Sequence, residues 1–135
     1  MSDICFAQSG DFWSHQTKLT PIDGQQKDQF GMAVAISGNY ALFGSPYSDS
    51  GATKAGAAYV FARSGNSWSQ HARLTPTDVR QADQFGRTVS ITNIHALIGS
   101  PYSDTGSTNT GTSYVFVRSN DSWSQQAKLT PTDVR

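Results

Sequence analysis

The sequence predicts an all-β fold assembled from repeated, four-stranded antiparallel units. Three observations predict it. Residues 85–130 repeat residues 30–75 without a gap, with more than half of the positions identical and an offset of 55 residues. Inside each copy, short runs of alternating apolar and polar residues are separated by Gly, Asn, Ser and Asp, the pattern of strands joined by tight turns. No window carries a 3.6-residue apolar stripe, so no helix of note is expected.

The repeat is visible at several separate points. Trp13, Trp68 and Trp123 share the 55-residue spacing. "DQFG" stands at 28–31 and 83–86, "GSPYSD" at 44–49 and 99–104, and "YVF" at 59–61 and 114–116. "LTP" stands at 19–21, 74–76 and 129–131. The chain therefore holds two complete copies and part of a third.

Each copy reads as four strands. The first is "FGMAVAIS" (30–37), matched by "FGRTVSIT" (85–92), with Val34 and Ile36, and Val89 and Ile91, alternating at period two. The second is "YALFG" (40–44), matched by "HALIG" (95–99). Gly38-Asn39 between the first two strands is a strong hairpin signal, and Asn93-Ile94 in the other copy is a poorer one. The third is "AAYVFAR" (57–63) and "TSYVFVR" (112–118), and "SGNS" and "SNDS" lead into a fourth, "WSQHARL" (68–74) and "WSQQAKL" (123–129). Alternation places Trp68, Gln70, Ala72 and Leu74 on one face of that strand and Ser69, His71 and Arg73 on the solvent side. Pro76 and Pro131 end it.

Four antiparallel strands in series, repeated, predict the blade of a β-propeller. The expected organisation is an N-terminal tail at 1–11, an orphan fourth strand at 12–20, blades at 30–75 and 85–130, and a C-terminal tail at 131–135. The competing architecture is a single sandwich or barrel of about nine strands.

These residues resemble the FG-GAP repeat, the blade motif of integrin α-subunit propellers and of many bacterial surface proteins. The resemblance rests on Phe30-Gly31 and Phe85-Gly86, followed by Gly44-Ser45-Pro46 and Gly99-Ser100-Pro101 where the family usually has Gly-Ala-Pro. It implies structural roles: Phe30 and Phe85 wedged between blades, Gly31 and Gly86 allowing close backbone approach, and Trp13, Trp68 and Trp123 covering the outer strand. It also implies an extracellular or cell-surface setting, although the N-terminus lacks the basic start and apolar run of a secretory signal. Many members carry an acidic calcium loop between the first two strands. Here those connections are "SGNY" and "TNIH", which cannot supply the six or more oxygens a calcium ion takes, so no metal and no cofactor is expected.

A closed propeller needs about four to eight blades. Two blades leave apolar outer faces in water, more surface than a monomer normally exposes. The expectation is a homo-oligomer, a dimer or trimer closing a propeller, with a filament or a segment of a longer propeller as alternatives.

Composition excludes several functions. Ten basic and ten acidic residues cancel, so no footprint for nucleic acid is present. No run of about 18 apolar residues offers a membrane helix. Cys5 is the one cysteine, so no disulfide forms within the chain. His15, His71 and His95 lack zinc-ligand spacing, and no nucleophile elbow or phosphate loop is present; the chain does not read as an enzyme. The best ligand-binding residues are Tyr47 and Asp49, and Tyr102 and Asp104, in two equivalent loops where a ring and a carboxylate could take a glycan or a protein. The alternative role is structural, with Pro-Tyr packing the loop and Asp capping its turn. Asp28 and Asp83 are a weaker thought for calcium. The functional expectation is a non-catalytic binding or adhesion module, with a self-assembly unit as the alternative.

Overall fold

The computed structural model describes residues 3–10, 12–25, 27–49, 53–78, 80–103 and 110–131. Every regular element among them is a strand, ten in all: β1 (Asp3–Ser9), β2 (Phe12–Leu19), β3 (Ala33–Ser37), β4 (Tyr40–Ser45), β5 (Ala57–Ser64), β6 (Ser67–Leu74), β7 (Thr88–Ile91), β8 (His95–Ser100), β9 (Thr112–Ser119) and β10 (Ser122–Leu129). They form two four-stranded antiparallel sheets, β3-β4-β5-β6 and β7-β8-β9-β10, and a two-stranded sheet, β1-β2. Each four-stranded sheet is a meander, with sequence neighbours paired throughout. These are two blades, in an open arrangement.

Turn chemistry sets the registers. Ser37 opposes Tyr40, so Gly38 and Asn39 alone make the turn, with Gly38 at a φ of 57°. Gly65 and Asn120 occupy the same turn position in β5–β6 and β9–β10 at φ 63° and 56°, a left-handed conformation that Gly and Asn tolerate best. The poorer turn between β7 and β8 is rescued by Thr92, whose N–H donates to the His95 carbonyl at 2.8 Å and whose Oγ1 accepts from the His95 N–H at 3.0 Å.

Two features depart from the sequence reading. Residues 3–9 are not a tail: they are β1, hydrogen-bonded along β2 with Asp3 opposite Leu19 and Ser9 opposite Phe12. The 55-residue offset explains it, since Phe6-Ala7 and Ser9-Gly10 fall on Phe61-Ala62 and Ser64-Gly65. β1 and β2 are the third and fourth strands of a blade, not a lone fourth strand. Second, Trp68 does not share a face with Ala72 and Leu74. The β5–β6 register slips between Val60 and Phe61, which oppose Ala72 and Gln70, so His71 is the extra residue of a bulge. A one-residue slip moves every following side chain to the other face. Trp68 therefore packs with Phe30 and Phe43, while Ala72 and Leu74 pack with Phe85. His71 is half-buried in consequence, 6.1 Å from the Tyr40 ring, and does not lie on the solvent side.

The core lies between sheets. Leu42, Ala58, Val60 and Leu74 from the first blade meet Phe85, Ile98, Tyr114 and Phe116 from the second. On the other side of the first blade, Phe30, Phe43, Tyr59 and Phe61 form an aromatic cluster against Leu19 of β2. Phe30 stacks on Phe43 at 4.9 Å and meets Tyr59 and Phe61 edge-on, geometries that add to plain area burial. Phe85 repeats the edge-on contacts with Tyr114 and Phe116.

Backbone crosses backbone where Phe85-Gly86 enters the second blade. A methyl group on Gly44 would stand 1.8 Å from the Gly86 carbonyl oxygen, and one on Gly86 would stand 2.4 Å from that of Ala57, with Gly86 at φ 99°. Gly44→Ala is therefore expected to destabilise the chain by about 3 kcal/mol or more, read from urea denaturation. Gly65→Asn, in open space and at a position where the other copy uses Asn120, should stay within about 0.5 kcal/mol of wild type.

Candidate functional site

The loop after β4 is built on a buried serine. Ser45 Oγ donates to the Asp28 carbonyl at 3.0 Å, and the Tyr47 N–H donates to the same oxygen at 3.3 Å. Ser100 Oγ repeats the first bond to the Asp83 carbonyl at 2.9 Å. The Ser48 carbonyl then accepts from the Gly56 N–H, as the Ser103 carbonyl does from Gly111. "GSPYSD" and "DQFG" recur together because one segment anchors the other.

A cleft of about 670 Å³ opens between these segments in the first blade. Lys27, Asp28, Gln29, Tyr47, Asp49 and Lys54 line it. Asp28 is buried, and its Oδ2 accepts from the Gln25 N–H at 2.9 Å. Asp49 Oδ1 accepts from the Lys54 N–H at 2.8 Å, steadying Lys54 at a φ of 55°. Both carboxylates thus act as turn caps. The Lys54 ammonium lies 6.0 Å from the Tyr47 ring centre.

The second loop places Tyr102 at the surface, with the Arg87 guanidinium 5.7 Å from its ring. Asp104 lies outside the described residues. Tyr47 and Asp49 are brought together in one cleft. Tyr102 belongs to the next blade. Among the described residues, no cluster of three or more His, Cys, Asp or Glu is placed to hold a metal ion.

The loop of the first blade also grips the second. Ala82, Gln84 and Phe85 donate their amides to the carbonyls of Thr53, Lys54 and Ala55 at 2.9, 3.2 and 2.8 Å, and Gly56 pairs with Phe85 in a parallel bridge. Sequence reading missed this ladder because its atoms are all main chain.

A second set of contacts ties the linker after each outer strand to the following blade. Gln70 Oε1 accepts from the Ile22 N–H at 2.8 Å, and Gln125 Oε1 accepts from the Thr77 N–H at 3.0 Å. Asp23 pairs with Arg73 at 3.1 Å. One repeat later, Asp78 pairs with Lys128 and accepts from the Tyr114 hydroxyl at 2.9 Å. Trp68 Nε1 donates to Gln16 Oε1 at 3.3 Å, and Trp123 packs edge-on against Tyr40. Trp13, the counterpart of Trp68 and Trp123, is exposed.

Partial burial works to raise the Asp78 carboxyl, but the Lys128 ammonium and the Tyr114 hydroxyl outweigh it and hold the group below its usual value. Burial, with the bond to Asp78, pushes the Tyr114 phenol up.

A family profile described as "FG-GAP repeat" matches residues 13–61 and 68–116. The two matches begin at Trp13 and Trp68 and end on Phe61 and Phe116, so each unit runs from the outer strand of one sheet through three strands of the next. Fold and pattern define a class, the propeller-blade repeat proteins, and the chain belongs to the FG-GAP repeat family. Comparison with individual curated proteins gave no match.

The lowered Asp78 value predicts a pH dependence. Its contribution is fully present above the unfolded-state value of about 3.9 and is lost as pH falls through the lower folded-state value. Asp78→Asn should be less stable than wild type at pH 7, by about 1 kcal/mol or less for so exposed a pair. The difference should shrink as pH falls below the unfolded-state value and through the lower folded-state one, measured by chemical denaturation across pH.

Proposed function

We propose that this chain is a non-catalytic binding module that recognises polypeptide by stacking blade on blade, with a second copy of itself as the first partner. Its two ends carry the observation behind this reading. Leu42 and Leu74, which face the neighbouring blade, are 0% and 3% exposed, whereas their counterparts Leu97 and Leu129 on the last blade are 43% and 50% exposed. Phe116, in the same joint, is 3% exposed, and its counterpart Phe6 on β1 is 58% exposed. The same side chains that close the internal joint lie open at both ends of the chain.

Leu97 and Leu129 repeat one half of a joint the chain already makes once, and Phe6 repeats part of the other. Burying one leucine contributes about 1.5–3 kcal/mol, so a few such residues favour association. A head-to-tail contact of this kind is heterologous: it closes a ring, as a dimer or trimer, or continues as a filament. Polypeptide is favoured over a glycan as ligand because Lys54 and Arg87 stand over the Tyr47 and Tyr102 rings where a sugar would stack.

Light scattering across concentration tests the reading. The expected result is a mass above that of one chain that falls on dilution, and a shift to the single chain in Leu97→Asp with Leu129→Asp. A single-chain mass at high concentration in the wild type would refute it.

A further inference from the structure

We propose that His71 is a proton-controlled latch between the two blades. Its neutral imidazole accepts from the Trp123 indole N–H across the joint, and protonation removes that acceptor and loosens the joint. The latch sits at a repeated side-chain position where one unit differs from the other two.

That position is the bulge of the outer strand. The register slips once in each outer strand, and the extra residue is Gln16 in β2, His71 in β6 and Gln126 in β10. A bulge re-aims the side chain of its extra residue. In the first unit the target is visible: Gln16 Oε1 accepts from Nε1 of Trp68, the tryptophan of the next outer strand, at 3.3 Å. Trp123 stands one repeat after Trp68, and His71 one repeat after Gln16. The joint between the two blades therefore sets an imidazole where the preceding unit sets an amide.

Two orphaned atoms mark the place. Trp123 Nε1 and His71 Nε2 are both buried, and neither has a hydrogen-bonding partner. The first is a donor only. The second is an acceptor when the imidazole is neutral with its proton on Nδ1. Both rings lie against one third ring: the Tyr40 centroid is 6.1 Å from that of His71 and 5.9 Å from that of Trp123. Buried polar groups are seldom left unpaired. The bond that satisfies both atoms is the one that Gln16 and Trp68 already make.

The surroundings offer an imidazolium no counter-charge. Arg118 on β9 holds its guanidinium 5.0 Å from the centre of the Tyr40 ring. Arg63 on β5 is bound to the Asn39 side chain, Arg73 on β6 itself is paired with Asp23, and Lys128 on β10 is paired with Asp78. Asp121, two residues before Trp123, is exposed in the β9–β10 turn. Among the described residues, no carboxylate pairs with His71. A protonated His71 turns a donor toward the Trp123 N–H, close to the Arg118 cation. Leaving a buried donor unmatched costs more than a typical bond contributes. The cost falls on the joint that packs Leu42, Val60 and Leu74 with Phe85 and Tyr114, so stability falls as His71 takes up a proton. A glutamine at this position has no second charge state. The latch lies inside the chain and does not depend on self-association.

The test compares the full chain with His71→Gln, which installs the residue that the other two units carry. Both are unfolded in urea from about pH 8 to about pH 5, the range in which histidine ordinarily changes charge. His15 and His95 are present in both proteins and cancel in the comparison. The expected result is that, relative to His71→Gln, the unfolding equilibrium constant of the wild type rises about tenfold over this range. In a Trp123→Phe background, which lacks the donor, the same exchange at position 71 should no longer change the pH profile. The Trp123 indole N–H resonance of the wild type should move with the same midpoint as the His71 ring protons, a readout that needs no variant to fold. The Leu97→Asp, Leu129→Asp variant should show the same acid response, which separates the latch from stacking of chains. Parallel pH profiles for the wild type and His71→Gln would overturn the proposal. So would a Trp123 indole resonance that stays fixed while His71 titrates.

Discussion

Everything in this structure depends on how closely one blade's backbone approaches the next. Phe85 and Gly86 enter the second blade pressed against Gly44, Gly56 and Ala57 of the first, at separations that leave no room for a side chain. That contact fixes the aromatic ring of Phe85 between two sheets, and the ring in turn organises Leu42, Val60 and Leu74 on one side and Tyr114 and Phe116 on the other. A sheet of four short strands is a poor domain on its own. Two such sheets share one core because the glycines let their backbones touch.

The same constraint gives the chain its polarity. Each blade offers an aliphatic face to its successor and an aromatic face to its predecessor. Internal joints consume one of each. At the ends, the aliphatic face of the second blade and the aromatic side of β1 and β2 are left open. In the cleft, the carboxylates of Asp28 and Asp49 cap turns, and cations stand over the Tyr47 and Tyr102 rings.

Much of this was legible in the sequence. The 55-residue offset and the turn pairs Gly38-Asn39 and Gly65-Asn66 gave eight strands, their order and the blade architecture. What escaped was what a pattern of side chains does not encode. The bulge at His71 leaves the residue types unchanged but reverses the facing of Ala72 and Leu74. β1 was hidden because Phe6, Ala7 and Ser9 are the few residues it keeps in common with the first full copy. The cleft was half visible: Tyr47 and Asp49 stand on the loop that forms it, while the donors opposite, at Lys27, Gln29 and Phe30, are main-chain groups to which no side-chain motif points.

Native-state hydrogen exchange across the whole chain tests most directly whether stability resides in the joint between blades. The slowest amides are then those of β4, β5, β8 and β9, which flank the Phe85 contact, and the fastest regular elements are β1 and β2, which lack half of their blade. Uniform protection over all ten strands, or slowest exchange in β1 and β2, would contradict the account.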